Sequence, residues 1–96
     1  MGDEAIEVTD NAPERRFQAA TGAGLAVLEY RVSGGRIDLL HTWVPDEARG
    51  RGVAAALVRF ALEEARRRGQ CVVPTCGYVA GYLRRHPGYQ PLVCDG

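Results

Sequence analysis

Ile37-Asp38-Leu39-Leu40-His41-Thr42-Trp43-Val44-Pro45 runs through Asp46-Glu47-Ala48 into Arg49-Gly50-Arg51-Gly52-Val53-Ala54, and this join decides the fold. Ile37 to Val44 is nearly continuous in apolar residues, as expected of a central strand buried on both faces. Pro45 ends it. Ala54 to Arg68 is an amphipathic helix, with Ala54, Leu57, Val58, Ala61, Leu62 and Ala65 on one stripe. A strand, a short Gly/Arg loop and a helix start make a place to hold phosphate. The first N–H groups of a helix have no partner within it, and its dipole favours negative charge there. Glycines let backbone approach a ligand, and arginines add charge and bidentate donors.

Outward from this join the pattern is that of one small domain, residues 1–96. Ile6 and Val8 alternate with polar residues before a turn at Asn11-Ala12-Pro13-Glu14. Arg15 to Ala20 reads as a strand, and Thr21-Gly22-Ala23-Gly24 as a turn. Leu25 to Val32 reads as a strand with Ala26, Leu28, Tyr30 and Val32 on one face. Ser33-Gly34-Gly35 is a hairpin turn. Beyond the helix, Gly69 is a C-cap and Arg66-Arg67-Arg68 suits the negative end of the dipole. Glu63–Arg67 and Glu64–Arg68 are spaced for ion pairs. Cys71 to Thr75 reads as a short strand, with Pro74 placing it at an edge or a gap. Gly77 to His86 reads as a second, short helix, and Tyr89 to Val93 as a last extended piece. The class is α+β, or mixed α/β, and the helix after Val44 can cross over between parallel strands.

Composition narrows the function. Net charge is zero, yet residues 1–48 carry nine acids and four arginines, while residues 49–96 carry eight arginines and three acids. The basic second half suits an anionic ligand. No basic stripe interleaves with aromatics, which argues against nucleic acid as partner. No apolar run approaches the ~20 residues of a membrane span, and the acidic start lacks the features of a signal peptide; the expected location is cytoplasmic. Three cysteines, an odd number, argue against a disulfide framework, so Cys71 and Cys94 are assigned to packing. Two histidines without ligand spacing predict no metal.

Arg49-x-x-Gly52-x-Ala54 after a strand resembles the signature of the GNAT superfamily of N-acetyltransferases. Leu28-Glu29-Tyr30, His41-Thr42-Trp43-Val44-Pro45, Val73-Pro74-Thr75-Cys76-Gly77-Tyr78-Val79 and His86-Pro87-Gly88-Tyr89 follow the order seen in the small, single-domain GNAT-like proteins. The resemblance covers about Val8 to Leu92. It implies a curved mixed sheet whose central parallel strands, Ile37–Val44 and Cys71–Thr75, splay apart. It implies that acetyl-CoA lies in the gap, its pantetheine against backbone near Thr42 and Val44 and its pyrophosphate on Arg49, Gly50, Arg51, Gly52, Val53 and Ala54. Larger relatives wall the acceptor site with two helices and supply a carboxylate base on the central strand. Here Thr21-Gly22-Ala23-Gly24 stands in place of the helices, and Asp38 is the strand's sole acid.

Acetyl transfer to an amine needs a base, a polarised carbonyl and a proton for the leaving thiolate. Cys76, where the second splayed strand meets a helix, and His41 are the suspected pair in this family. A helix start lowers a thiol's pKa. Tyr78 or Tyr82 can supply the proton. The expectation is an acetyl-CoA-dependent N-acetyltransferase, monomeric or weakly dimeric, with an unidentified amine acceptor; the alternative is a non-catalytic acyl-CoA-binding module.

Overall fold

The computed structural model describes residues 6–95. The chain order is β1 (Thr9–Asn11), a 3-10 turn (Ala12–Glu14), β2 (Arg16–Thr21), β3 (Gly24–Ser33), β4 (Arg36–Trp43) and a 3-10 turn (Asp46–Ala48). Then come α1 (Val53–Arg68), β5 (Cys71–Val73), α2 (Gly77–Arg85) and a last 3-10 turn (Pro87–Leu92). The sheet follows sequence order, antiparallel from β1 to β4, with β5 parallel to β4. This is the expected mixed sheet with one long and one short helix. The last piece differs from expectation. Pro87 and Pro91 bias residues 87–92 to a 3-10 turn, and Val93 alone pairs, bridging to Val72.

One face of the sheet holds the core. Phe17, Ala19, Ala26, Leu28, Tyr30, Ile37, Leu39 and Val72 are the buried strand residues, and all share a side. Against them α1 lays Val53, Leu57, Val58, Ala61, Leu62 and Ala65, the stripe its periodicity announces. Val79, Tyr82 and Leu83 of α2 join this core. Burying such a leucine contributes about 1.5–3 kcal/mol. On the opposite face no described strand residue is buried, so β4 is not the doubly covered strand its composition suggests. Trp43 is 48 % exposed there. Val32 is also 48 % exposed, although alternation groups it with Tyr30.

A bulge explains the discrepancy in β4. Glu29 pairs with His41 and Tyr30 with Leu39, so Leu40 is an extra residue without a partner. Side chains alternate with period two, and one extra residue inverts the phase. Ile37 and Leu39 therefore face α1, and so do Thr42 and Val44, while His41 and Trp43 turn to the open face.

The far end of α1 is tied to β1 through a polar network. The Tyr30 hydroxyl donates to Asp10 Oδ1 at 2.6 Å, and Arg68 Nη2 donates to Asp10 Oδ2 at 2.9 Å and lies 3.0 Å from Glu64. Of the two spaced pairs, Glu64–Arg68 forms, whereas Glu63 takes Arg66 and the Tyr89 hydroxyl. Burial, then the Asp10 carboxylate, pushes the Tyr30 phenol up to about 12. An unfolded tyrosine titrates near 10. The raised proton affinity belongs to the folded state, so its stabilisation is complete below about 10 and is lost as pH rises towards about 12. Tyr30→Phe should remove this alkaline slope and cost about 1.5–3 kcal/mol at neutral pH, the worth of a hydrogen bond to a charged group. Denaturant unfolding of both proteins across that range measures the two effects.

Candidate functional site

β4 and β5 pair over only three registers, Arg36 with Cys71, Ile37 with Val72 and Asp38 with Val73. Pro74 follows and has no N–H to continue the ladder. The Thr75 hydroxyl turns back to Asp38. The Cys76 N–H then donates to the Leu39 carbonyl at 2.8 Å. That bond closes the base of a gap between the strands. Above it, the β4 edge from Leu40 to Trp43 has no strand beside it on the β5 side.

The loop at the mouth of the gap is braced by its own arginine. Arg49 Nε donates to the Val44 carbonyl at 3.2 Å and lies 3.4 Å from the Asp46 carboxylate. Gly50 and Gly52 both have φ of 81°, a left-handed conformation that glycine adopts without strain. Gly52 is the N-cap of α1 and offers no side chain to it. The Ala56 N–H is the first to bond within the helix, to Gly52 O at 3.0 Å. Val53, Ala54 and Ala55 therefore present uncommitted N–H groups, and no acid lies in the first turn. A cavity of about 330 Å³ meets this end, lined by Thr42, Val44, Arg49, Gly50, Gly52, Val53 and Ala54, with Ala48, Ala55 and Tyr78. Arg51 is the exception among the residues expected here. It lines a separate cleft beside Glu47, Gln18 and Leu25.

Cys76 Sγ lies 3.4 Å from the Thr42 hydroxyl. Burial raises the thiol's pKa. Hydrogen bonds from the Thr42 hydroxyl and from the backbone of Val79, Tyr78 and Thr42 outweigh it, and the thiol sits below its ordinary value. Cys76 is the N-cap residue of α2, so its sulfur sits at the start of that helix, although it makes no capping hydrogen bond there.

His41 does not share this environment. Its register partner is Glu29, and the bulge sends it to the face opposite Thr42 and Cys76. The two suspected residues flank the gap from its two sides. Glu29 is a carboxylate that reading β4 alone misses, because it arrives from β3. The two tyrosines also separate. Tyr78 lines the cavity, while Tyr82 is buried and stacked on His86 at 4.0 Å.

The cysteine reading needs correction. Cys71 and Cys94 form a disulfide, with Cα atoms 4.9 Å apart, and Cys76 is the free thiol. An odd count leaves one cysteine over, but does not prevent the other two from meeting. The pairing follows from the Cys94 N–H donating to Val72 O at 2.9 Å, which carries residue 94 to the edge of β5. Among the described residues, no three of His, Cys, Asp and Glu cluster as metal ligands, and no helix is long and apolar enough to cross a membrane.

Comparison with known proteins shows the family and the fold. A model of the GCN5-related N-acetyl-transferase family matches residues 16–92. Protein NATD1 of Gallus gallus and of Mus musculus are each 43 % identical over 85 residues, covering 85 % of this chain and 77 % of theirs. Protein NATD1 of Xenopus tropicalis is 38 % identical over 86 residues, covering 86 % and 79 %. A GCN5-like protein from Staphylococcus aureus, solved by NMR in solution, superposes with a TM-score of 0.73 at 26 % identity, covering 98 % of this chain and 93 % of that one. The chain belongs to the GCN5-related N-acetyltransferases, in the group that includes protein NATD1.

Proposed function

We propose that this protein is an acetyl-CoA-dependent N-acetyltransferase that passes the acetyl group through Cys76 to an amine. The observation that carries the reading is the thiol set among hydrogen-bond donors, beside the unpaired edge of β4 and an uncapped helix start. Acetyl-CoA supplies the acetyl group as a thioester. The uncommitted N–H groups of Val53, Ala54 and Ala55 suit its pyrophosphate. Gly50 and Gly52 keep side chains out of the way, and Thr42 and Val44 offer backbone to its pantetheine. Arg49, engaged with Val44 and Asp46, positions the loop, and Arg51 supplies charge nearby.

The chain's own groups then divide the work. The Thr42 hydroxyl lowers the Cys76 pKa and so favours the thiolate, the nucleophilic form. The sulfur of Cys76 forms a bond to the acetyl carbon as the donor's carbon–sulfur bond breaks. Tyr78, in the cavity, supplies a proton to the departing thiolate. His41, on the open face, takes the proton of the amine that attacks the acetyl-Cys76 carbon and releases the thiolate. A second reading is favoured by the same separation of His41 from Cys76: a domain that binds acyl-CoA without turnover.

Intact-protein mass spectrometry after brief exposure to acetyl-CoA distinguishes the routes. Wild type should gain one acetyl group and Cys76→Ala none, and the adduct should discharge to an added amine. An unlabelled enzyme with full turnover would exclude the covalent route, and an adduct that no amine discharges would favour the binding module.

Gly52→Asp tests the phosphate cradle. No atom lies within 4 Å of the added Cβ, and the φ of 81° strains a side chain there by about 1–2 kcal/mol, so the fold should persist with somewhat lower stability. The carboxylate would repel the pyrophosphate, and calorimetry should show CoA affinity reduced at least about tenfold, or 1.4 kcal/mol.

Thr42→Val tests the thiolate. It removes the hydroxyl that lowers the Cys76 pKa while leaving the N–H donors. The pH at half-maximal rate of Cys76 alkylation should move upward, and the rate at neutral pH should fall. An unchanged profile would mean that the hydroxyl does not set the thiol's charge.

A further inference from the structure

The Cys71–Cys94 bridge encloses the candidate site in a chemical sense, because Cys76 lies inside the loop it closes, across a sequence separation of 23. Between the two cysteines lie the rest of β5, the turn after it, α2, the 3-10 turn Pro87–Leu92 and Val93. Past β5 this stretch has little regular pairing of its own, and Val79, Tyr82 and Leu83 are what anchor it in the core. α2 has nine residues, short of the ~12–15 at which an isolated helix is even marginal. Past α2, strand-type contact is limited to the Val72–Val93 bridge and the Cys94 N–H bond to Val72. Tyr89 adds a hydrogen bond to Glu63 at 2.6 Å. The disulfide is therefore the covalent tie that holds residues 86–94 to β5. Both of its cysteines are half-buried at the sheet's edge, not sealed in the core.

We propose that the Cys71–Cys94 disulfide is a reversible redox latch that holds α2 in place and thereby sets the surroundings of Cys76. The coupling is short. Cys76 is the N-cap residue of α2: its carbonyl accepts the Ala80 N–H at 3.0 Å, and its sulfur lies 3.4 Å from the Thr42 hydroxyl across the gap, so a shift of the helix moves the thiol against Thr42. Opening the latch is ordinary thiol–disulfide exchange with a dithiol reductant. One reductant thiolate attacks a bridge sulfur, forms a mixed disulfide and releases the other cysteine as a thiolate. The second reductant thiol closes on the first and releases the remaining cysteine. Two electrons and two protons pass from the reductant, which ends as a disulfide, to Cys71 and Cys94. Cys76 takes no part and stays a thiol in both states. The inference concerns the thiol's surroundings and is read without any acetyl donor, so its failure and that of acetyl transfer are separate.

The test uses the full chain, air-oxidised or treated with dithiothreitol, and the double variant Cys71→Ser/Cys94→Ser. The oxidised chain, denatured and alkylated, should take one label, and the reduced chain three. Hydrogen exchange of residues 77–93 should speed up on reduction and recover on reoxidation. Cys76 is the one titrating thiol in both the oxidised wild type and the double variant, so thiolate absorbance compares them directly. Its half-point should rise in the variant, towards the value of an unstructured cysteine, about 8.5. Three labels on the oxidised chain would overturn the latch, because no bridge would exist. Equal exchange in the two redox states would overturn it too, as would identical Cys76 titration with the fold intact. Should the double variant fail to fold, exchange in reduced wild type decides.

Discussion

One extra residue in β4 governs the rest of the structure. Up to Leu39 the strand seals the core beneath α1. At Leu40 the pairing with β3 slips, and the alternation of side chains inverts. Without the slip, His41 and Trp43 would continue the row of Ile37 and Leu39 into the core. A polar ring would then sit under α1, and burying it unpartnered costs several kcal/mol. Thr42 would face outward, and the Cys76 thiol would lose the hydroxyl that lowers its pKa. The bulge lets a single strand serve a core at one end and a site at the other.

The site itself is a collection of backbone groups the fold leaves unpaired. Strands and helices normally satisfy their N–H and C=O groups internally. Here β4 loses its neighbour when β5 turns off at Pro74, and α1 begins without a capping side chain. Both deficits open on one cavity of about 330 Å³. The acetyl-CoA proposed here, anionic and amide-bearing, would answer both. The arginines play unlike parts in this. Arg49 is taken up in shaping the loop, whereas Arg51 projects to the other side of the helix start.

The sheet's uncovered face is the other half of the arrangement. Larger members of the superfamily place helices near their acceptor site; here a two-residue turn joins β2 to β3, and Trp43 and His41 stand open. The His41 imidazole lies on this face, and the Thr42 hydroxyl that meets Cys76 lies on the other.

The order of elements was legible from sequence because it rests on local signals. The stripe on α1, Gly69 after it, the paired glycines of the hairpin and the stop at Pro45 all act within a few residues of themselves. The glycine loop and the helix start after it were legible for the same reason, since Gly50, Gly52 and Val53 are contiguous. What the sequence could not reveal depends on register and on residues distant along the chain. The bulge at Leu40 is visible only when Glu29 and Tyr30 are set beside His41 and Leu39, and it reversed the expected burial of β4. Glu29 reached His41 from another strand. Cys94 met Cys71 because the segment after α2 returns to the edge of β5, which no count of cysteines foretells. Periodicity encodes which residues share a face of one element. Only tertiary pairing decides what that face meets.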